Sequence, residues 1–450
     1  MSAREDALLI YRAAVEAVRP ERLIAANCRL EGELLYICDH VYDLKAYRRI
    51  FLFGSGKAAW PMARALEALL GERIDSGVAA VPVDLGPLEH VDVFEGAHPI
   101  PDEKSLHAAQ KLQEAMARCG EGDLYLYLLS GGSSALIEAP VAPITLDDLR
   151  KTTRLMLENG LPIGSVNSVR KHISTIKGGR LGASCAAEGA VLVVSDVIGN
   201  DLEAIGSAPL YCDRTTFADA KRVLDEAGIF ETLPPSVSGV IEAGCGGKIA
   251  ESPKKPSKRI RHFLVGSNET ALGAAAGKAS ALGYDVTIVP EPLEGDADRL
   301  GPILAAEARR FSGDGRPRCI LYGGETTVEV KGGGRGGRNQ QLCLSALATL
   351  EPDDAVTMLC AGTDGIDGNS DAAGAVIDPQ SIESYRVKGL SPEAFLRNND
   401  ATGFFERCGG LVVTGPSGTN VMDVTILITG ATQGENASAI MNCNDKYPFL

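Results

Sequence analysis

Short apolar runs alternate along the chain with longer stretches whose apolar residues recur every three or four positions, the spacing of one helix face. Residues 4–19 have that helical spacing. Arg49–Gly54 (RIFLFG) reads as a buried strand that leads through Ser55-Gly56-Lys57 into a helix ending near Leu70. Val78–Val81 is a second strand, His98–Asp102 a loop and Glu103–Arg118 a helix. Leu124–Leu129 is a strand ending in Ser130-Gly131-Gly132-Ser133-Ser134. Helices over 145–158 and 165–177 follow, then a strand, Ala190–Ser195, ending at Asp196. The rhythm breaks over 228–258, where Pro234-Pro235, several glycines and SPKKPSKR suggest a linker or exposed excursion. It resumes with strands at Arg261–Val265, Tyr284–Val289, Cys319–Tyr322, Thr326–Lys331, Val356–Ala361 and Val424–Ile428. Helices over Asn268–Leu282, 296–311 and Asn339–Leu350 separate them. From about Ala431 no periodicity remains, which predicts a loose tail.

Strands alternating with helices imply an α/β fold with parallel sheets covered on both faces, and ligands at the carboxyl ends of strands. A chain of 450 residues is too long for one ordinary core. The expected division is an α/β domain over 1–235, a linker over 236–258, a second α/β domain over 259–430 and a flexible tail over 431–450.

Composition sharpens this picture in two respects. Glycine is in excess, 51 of 450 or about 11% against a usual ~7%. No G-X-Y period accompanies it, so the surplus serves turns or close approach of a ligand to backbone. Net charge is −15, from 44 basic and 59 acidic residues, a field that repels nucleic acid and acidic lipid. No apolar run approaches the ~18 residues a membrane helix needs. The amphipathic N-terminus carries Glu5 and Asp6, unlike a secretory signal. Eleven cysteines without a CxxC pair fit reduced, buried thiols, and six scattered histidines give no zinc pattern. A cytoplasmic protein is expected.

Six segments carry candidate chemistry. Gly54-Ser55-Gly56-Lys57 joins a strand to a helix, where backbone N–H groups and the helix dipole favour an anion. It is neither a Walker A motif nor GxGxxG, and a tight turn with a solvated Lys explains it as well. Ser130–Ser134 offers consecutive N–H groups and three hydroxyls, as an anion cradle or as a turn whose serines cap the next helix. From 159 to 187 no acidic residue occurs, while Arg170, Lys171, Lys177 and Arg180 give +4. Arg170, Ser174 and Lys177 are spaced to share a helix face, as an anion site or a solvated basic face. Seven of the sixteen residues from Gly323 to Arg338 are Gly, accompanied by Glu325, Lys331 and Arg335; Asn339 follows. The planar guanidinium of Arg338, at a helix start, suits carboxylate or phosphate oxygens. Asp364, Asp367 and Asp371 follow a strand end, for Mg²⁺, a base, or Asx turns; Asp196 at another strand end competes for that role. The loop Thr414–Asn420 closes over a ligand or is a turn. Anion cradles with strand-end carboxylates suit phosphoryl transfer.

The motifs FGSGKA, LLSGGSSAL, NSVRKHISTIKGGRL, SDVIGNDL, GGETTVEVKGGGRGGRNQ, AGTDGIDGNSDAAGA and TGPSGTNVMD, in order from about residue 5 to 430, resemble the glycerate 2-kinases with a MOFRL-type C-terminal region. The resemblance implies a Rossmann-like N-terminal domain, a smaller α/β C-terminal domain, and a cleft between them. It also implies transfer of the ATP γ-phosphoryl group to the C2 hydroxyl of D-glycerate, with Mg²⁺. By position, Lys57, Arg338 and Asp196 match residues of the family's GSGKA, GGRNQ and SDV motifs, the first two thought important for catalysis. The glycine loop is shorter in Gly than is usual there, at Gly131-Gly132, and 228–258 matches poorly.

The resulting expectation has Lys57 and Arg338 on the transferring phosphoryl group or the glycerate carboxylate. Asp196 is the base or metal partner, and Asp364 and Asp367 bind metal. Gly54, Ser55, Gly56, Ser130, Gly131, Gly132, Ser133, Ser134, Arg170, Lys177, Gly323, Gly324, Glu325 and Asn339 bind glycerate or nucleotide. The partners are small molecules, with no nucleic acid or membrane, and a homodimer is left open. The alternatives are an NAD(P)H-dependent hydroxypyruvate reductase, disfavoured by the missing GxGxxG, and a non-catalytic receptor for phosphorylated metabolites.

Overall fold

The structure, a computed structural model, describes residues 2–312, 316–351 and 353–430; the expected tail lies outside the described residues. The apolar runs pair into two large sheets. A short antiparallel meander comes first, β1 (Cys28–Glu31), β2 (Leu34–Ile37) and β3 (His40–Asp43). The first large sheet holds β4 (Ile50–Ser55), β5 (Ser76–Val81), β6 (Val91–Glu95), β7 (Leu124–Leu129), β8 (Glu188–Val194) and β9 (Ile260–Gly266). All its pairings are parallel, in the order β6-β5-β4-β7-β8-β9. The chain winds outward from β4 in one direction, then returns beside it and winds the other way. The crevice at that reversal, between β4 and β7, is where such sheets bind ligands.

Every residue of β4 and β7 is buried, as a central parallel strand requires. Alternation sends Leu52, Leu124, Leu126 and Leu128 to one face and Phe51, Phe53, Tyr125 and Tyr127 to the other. Both faces are apolar, and each fully buried side chain of this size contributes about 1.5–3 kcal/mol.

The second sheet holds β10 (Asp285–Ile288), β11 (Leu293–Asp296), β12 (Arg318–Thr327), β13 (Val356–Gly362), β14 (Gly374–Ile377), β15 (Leu411–Val412) and β16 (Asp423–Thr429). Here the expectation of parallel pairing fails. Only β10 and β11 run parallel to β12; the pairings β12–β16, β16–β13, β13–β14 and β14–β15 are antiparallel. The last strand among the described residues, β16, inserts between two earlier ones, an arrangement that periodicity cannot reveal.

Three further differences concern single segments. The segment 228–258 is not an open linker: Pro235–Cys245 is a helix that buries Val237, Val240 and Ile241 with Leu149, Met156 and Leu224. Strand β9, assigned from sequence to the second domain, forms the edge of the first sheet beside β8. Thr326–Lys331 is not a separate strand, because β12 runs unbroken through Gly323 and Gly324 to Thr327. No helix among the described residues is long and apolar enough to cross a membrane.

The chain start packs far from its sequence neighbours. The helix Ala3–Ala17 buries Ala7, Ile10, Tyr11 and Ala14 in a cluster that also contains Leu359, Ala361 and Val424 of the second sheet. The Tyr11 hydroxyl donates to Gly362 O at 2.6 Å, at the carboxyl end of β13. Tyr11→Phe leaves that buried carbonyl without its donor, and should lower the unfolding free energy by about 1–3 kcal/mol in urea titrations. An unchanged midpoint would show that the bond adds nothing.

Candidate functional site

At the crevice the turns after β4 and β7 are locked together by backbone. Lys57 N–H donates to Gly131 O at 2.9 Å, Ser130 N–H to Ser55 O at 3.2 Å, and Ala58 N–H to the Ser130 hydroxyl at 3.0 Å. Such contact needs small residues. Gly56 has φ +130, and a Cβ there would lie 2.2 Å from Ser130 Oγ; one on Gly131 would lie 2.0 Å from Asp196 Oδ2. Gly54 lies within β4 itself.

Two of the expected serine hydroxyls, Ser55 and Ser133, are consumed by this lock, while the Ser130 hydroxyl only accepts in it. Ser55 Oγ pairs with Tyr127 OH at 2.7 Å and Ser133 Oγ at 2.6 Å, all buried. The Ser134 hydroxyl and the N–H groups of Gly131 and Gly132 donate to no described residue. The crevice therefore offers those three donors, the Ser130 O–H and the Lys57 ammonium.

Arg170 and Lys177 do not reach an open anion site. The helix expected over 165–177 ends at His172, so no common helix face exists. The two side chains converge instead on Glu138, fully buried and unremarked in the sequence: Lys177 Nζ lies 3.0 Å and Arg170 NH2 3.6 Å from Glu138 Oε2. Ser174 Oγ donates to Glu138 Oε1 at 2.8 Å. Lys177 also donates to Ser134 O at 2.8 Å and Ile137 O at 3.2 Å, and Arg170 to Ser134 O at 2.8 Å. These cations brace the back of the Ser130–Ser134 turn. Burial pulls the Lys177 ammonium down to about 8, against the pull of Glu138.

Across the junction stand residues of the second sheet. Lys57 Nζ lies 3.8 Å from Asp364 Oδ2, joining the β4 turn to the loop after β13. Ser417 N–H donates to Asp364 O at 3.0 Å, so the Thr414–Asn420 loop buttresses that loop. Arg338 is gripped by the buried Asp423, Nε to Oδ2 at 2.5 Å and NH2 to Oδ1 at 2.9 Å, and its NH1 lies 2.7 Å from Glu325 Oε1. Burial alone would lower the Arg338 value; Asp423 and then Glu325 outweigh it and leave it above the ordinary range. Asp423 was missed in the sequence, though a carboxylate opening an apolar strand is a visible signal.

Gly323 and Gly324 are interior to β12, opposite Val424 and Asp423, rather than in an anion-binding loop. Asn339 is buried and donates through its backbone and side chain to Asp367. Asp367 also accepts from Gln340 N–H at 2.9 Å and Gln340 Nε2 at 3.0 Å. It caps the helix Arg338–Leu347, and its own carboxylate fills the dipole site expected for a ligand. Burial pushes Asp367 up to about 6, while the Gln340 and Asn339 donors pull it down.

Three carboxyl groups remain open at the junction. Asp196 is raised above the ordinary range by burial, opposed by its own backbone N–H and by Lys57, with Asp364 adding to the rise. Glu325 is raised by burial; Arg338 opposes this, and Asp423, Asp196 and Asp364 add to it. Asp364 and Glu325 each keep one oxygen that accepts no hydrogen bond from a described residue, which fits a hard divalent cation; Asp367 is saturated and does not fit.

Lys177→Met would strand Glu138 in the core. It should lower the unfolding free energy by about 3–5 kcal/mol, read from urea titrations, as the loss of a buried brace. A raised KM at unchanged stability would return Lys177 to the ligand site.

Comparisons with known proteins agree with this fold. Residues 6–242 match the family model described as a domain of unknown function, DUF4147, and residues 318–423 match the MOFRL family. The glycerate 2-kinase of Pyrococcus horikoshii is 37% identical over 440 residues, covering 96% of this chain and 99% of that protein. The D-glycerate 2-kinase of Thermotoga maritima is 34% identical, covering 94% and 98%. A relative from Agrobacterium vitis, 36% identical over 440 residues, carries a provisional hydroxypyruvate reductase name. The crystal structure of the Thermotoga maritima glycerate kinase superposes with a TM-score of 0.83, covering 95% of this chain and 99% of that one. With nearly its whole length matched in sequence and in fold, this chain belongs to the glycerate 2-kinase family whose members carry DUF4147 and MOFRL regions.

Proposed function

We propose that this protein transfers the γ-phosphoryl group of ATP to the C2 hydroxyl of D-glycerate, giving 2-phosphoglycerate and ADP. The observation that carries the reading is the meeting of Lys57, the open Gly131 and Gly132 N–H groups and Arg338 with the half-open carboxyls of Asp196, Asp364 and Glu325. Phosphoryl transfer asks for little else, since it is largely positioning and charge neutralisation.

The residues divide the work by chemistry. Lys57 is a mobile point charge, while Arg338 is a fork oriented by Asp423. Arriving phosphate or carboxylate oxygens displace the half-exposed Glu325 from Arg338 more readily than the buried Asp423. Asp196, with its raised value, accepts the C2 hydroxyl proton as the new O–P bond forms and the bond to ADP breaks. Asp364 and Glu325 are the residues suited to hold Mg²⁺, which when bound would neutralise phosphate charge. Pre-set backbone donors at Gly131 and Gly132 need no reorganisation when charge moves.

A reductase reading has less support. The first sheet has the winding of a dinucleotide fold, but its first turn is closed by Ser130 and Gly131 and lacks the third glycine of GxGxxG.

The decisive assay combines purified protein, D-glycerate, ATP and Mg²⁺ with ADP release and product identification. Formation of 2-phosphoglycerate is expected; NADH oxidation with hydroxypyruvate, and no ADP, would transfer the assignment to the reductase. Lys57→Ala and Arg338→Ala should each lower kcat/KM at least ~100-fold, about 2.7 kcal/mol of transition-state stabilisation. Near-wild-type turnover in either folded variant would remove that residue from the mechanism.

A further inference from the structure

A residue outside all the motifs so far discussed stands at the same crevice. His98 follows β6, whose carboxyl end lies at the same edge of the first sheet as those of β4 and β7. A Cβ placed on Gly132, φ +84, would lie 3.1 Å from His98 Cδ2, 3.5 Å from His98 Nε2 and 3.5 Å from Lys57 Cγ. The imidazole, the Lys57 stem and the glycine turn therefore share one small space. Four of the other five histidines have a ring-packing or hydrogen-bond partner, though the buried Nε2 atoms of His90 and His262 make no hydrogen bond. His172 bonds Ser168 O at 2.7 Å, His107 packs edge-on against Phe94, His262 against Tyr211 and His40 against Tyr42. The ring nitrogens of His98 make no hydrogen bond to a described residue.

We propose that His98 is a ligand-contacting residue, donating a hydrogen bond from its neutral imidazole to an anionic oxygen seated on Lys57 and the Gly131–Gly132 turn. A neutral ring carries one N–H donor and one acceptor, so it adds a directional contact without repelling Lys57. His98 as a residue is exposed; partial desolvation of its ring and then the Lys57 charge lower its value, consistent with a neutral ring in the free protein. Gly132 is then small for two reasons: its left-handed backbone, and the ring that any side chain would displace. The identity of the oxygen, on the transferring phosphoryl group or on the acceptor carboxylate, rests on the kinase reading; the contact itself does not.

The test has one arm that requires turnover and one that does not. His98→Ala should lower kcat/KM about 10- to 100-fold, the range for one hydrogen bond to a charged group, with an unchanged urea midpoint. His98→Gln or His98→Asn, which keep a side-chain N–H, should recover much of the loss. A rise confined to the KM for D-glycerate assigns the carboxylate, and one confined to the KM for ATP assigns the phosphate. In the second arm, the ring resonance missing from the His98→Gln spectrum should shift on adding ATP, D-glycerate or inorganic phosphate to wild type. A protein without kinase activity whose resonance still shifts would overturn the kinase reading and support the contact. An active enzyme unaltered by His98→Ala, or a resonance that none of the three ligands moves, would overturn the contact.

Discussion

The close approach of two strand ends, β4 and β7, is the constraint on which the rest of the site depends. Because the sheet reverses its winding between them, their turns face each other over the crevice, and they meet backbone to backbone. The lock of Lys57, Ser130 and Gly131 uses up the donors on one side and leaves the Gly131 and Gly132 N–H groups open on the other. It also sets the Lys57 stem beside Gly132 and brings Asp196 against Gly131. A side chain at Gly56 or Gly131 would force the turns apart, so the glycine excess of the composition is, at this point, a packing requirement.

Charge compensation is the second organising effect. An arginine or lysine withdrawn from water must find carboxylates or carbonyls, and the protein solves this in two ways. Behind the crevice, Lys177 and Arg170 are spent on Glu138 and on carbonyls of the 134–137 segment, which holds the turn in shape. At the crevice, Lys57 and Arg338 are compensated loosely on one side, by Asp364 at 3.8 Å and by the half-exposed Glu325. The difference between a bracing cation and a ligand-binding cation lies in the depth and number of its partners, not in its residue type.

The strand ends, the glycine turns and the family were legible from local pattern. Strands β4, β7 and β13 have boundaries within a residue or two of the expected ones. What was not legible depended on long-range pairing. The acid-free stretch 159–187 suggested an anion site because its counter-charges, Glu138 and Asp213, lie outside it; Lys171 Nζ is 3.4 Å from Asp213 Oδ1. The glycine-rich segment at 323 read as a loop, because no local rule says that Asn268 needs the space a side chain at Gly323 would fill. The helix over 235–245 was hidden by its prolines and glycines, and is stabilised by the apolar side chains it buries.

Local sequence thus determined where strands end and which ends carry glycine, hydroxyl or charge, because periodicity and turn chemistry act over a few residues. It also determined the family, through seven motifs kept in order. Only the tertiary structure decided which of those charges are free. Asp367 became a helix cap, Lys177 a brace and Arg338 an oriented fork through partners 28, 39 and 85 residues away in the chain. Coulombic pairing and desolvation depend on distance in space, and that distance is set by how the two sheets meet.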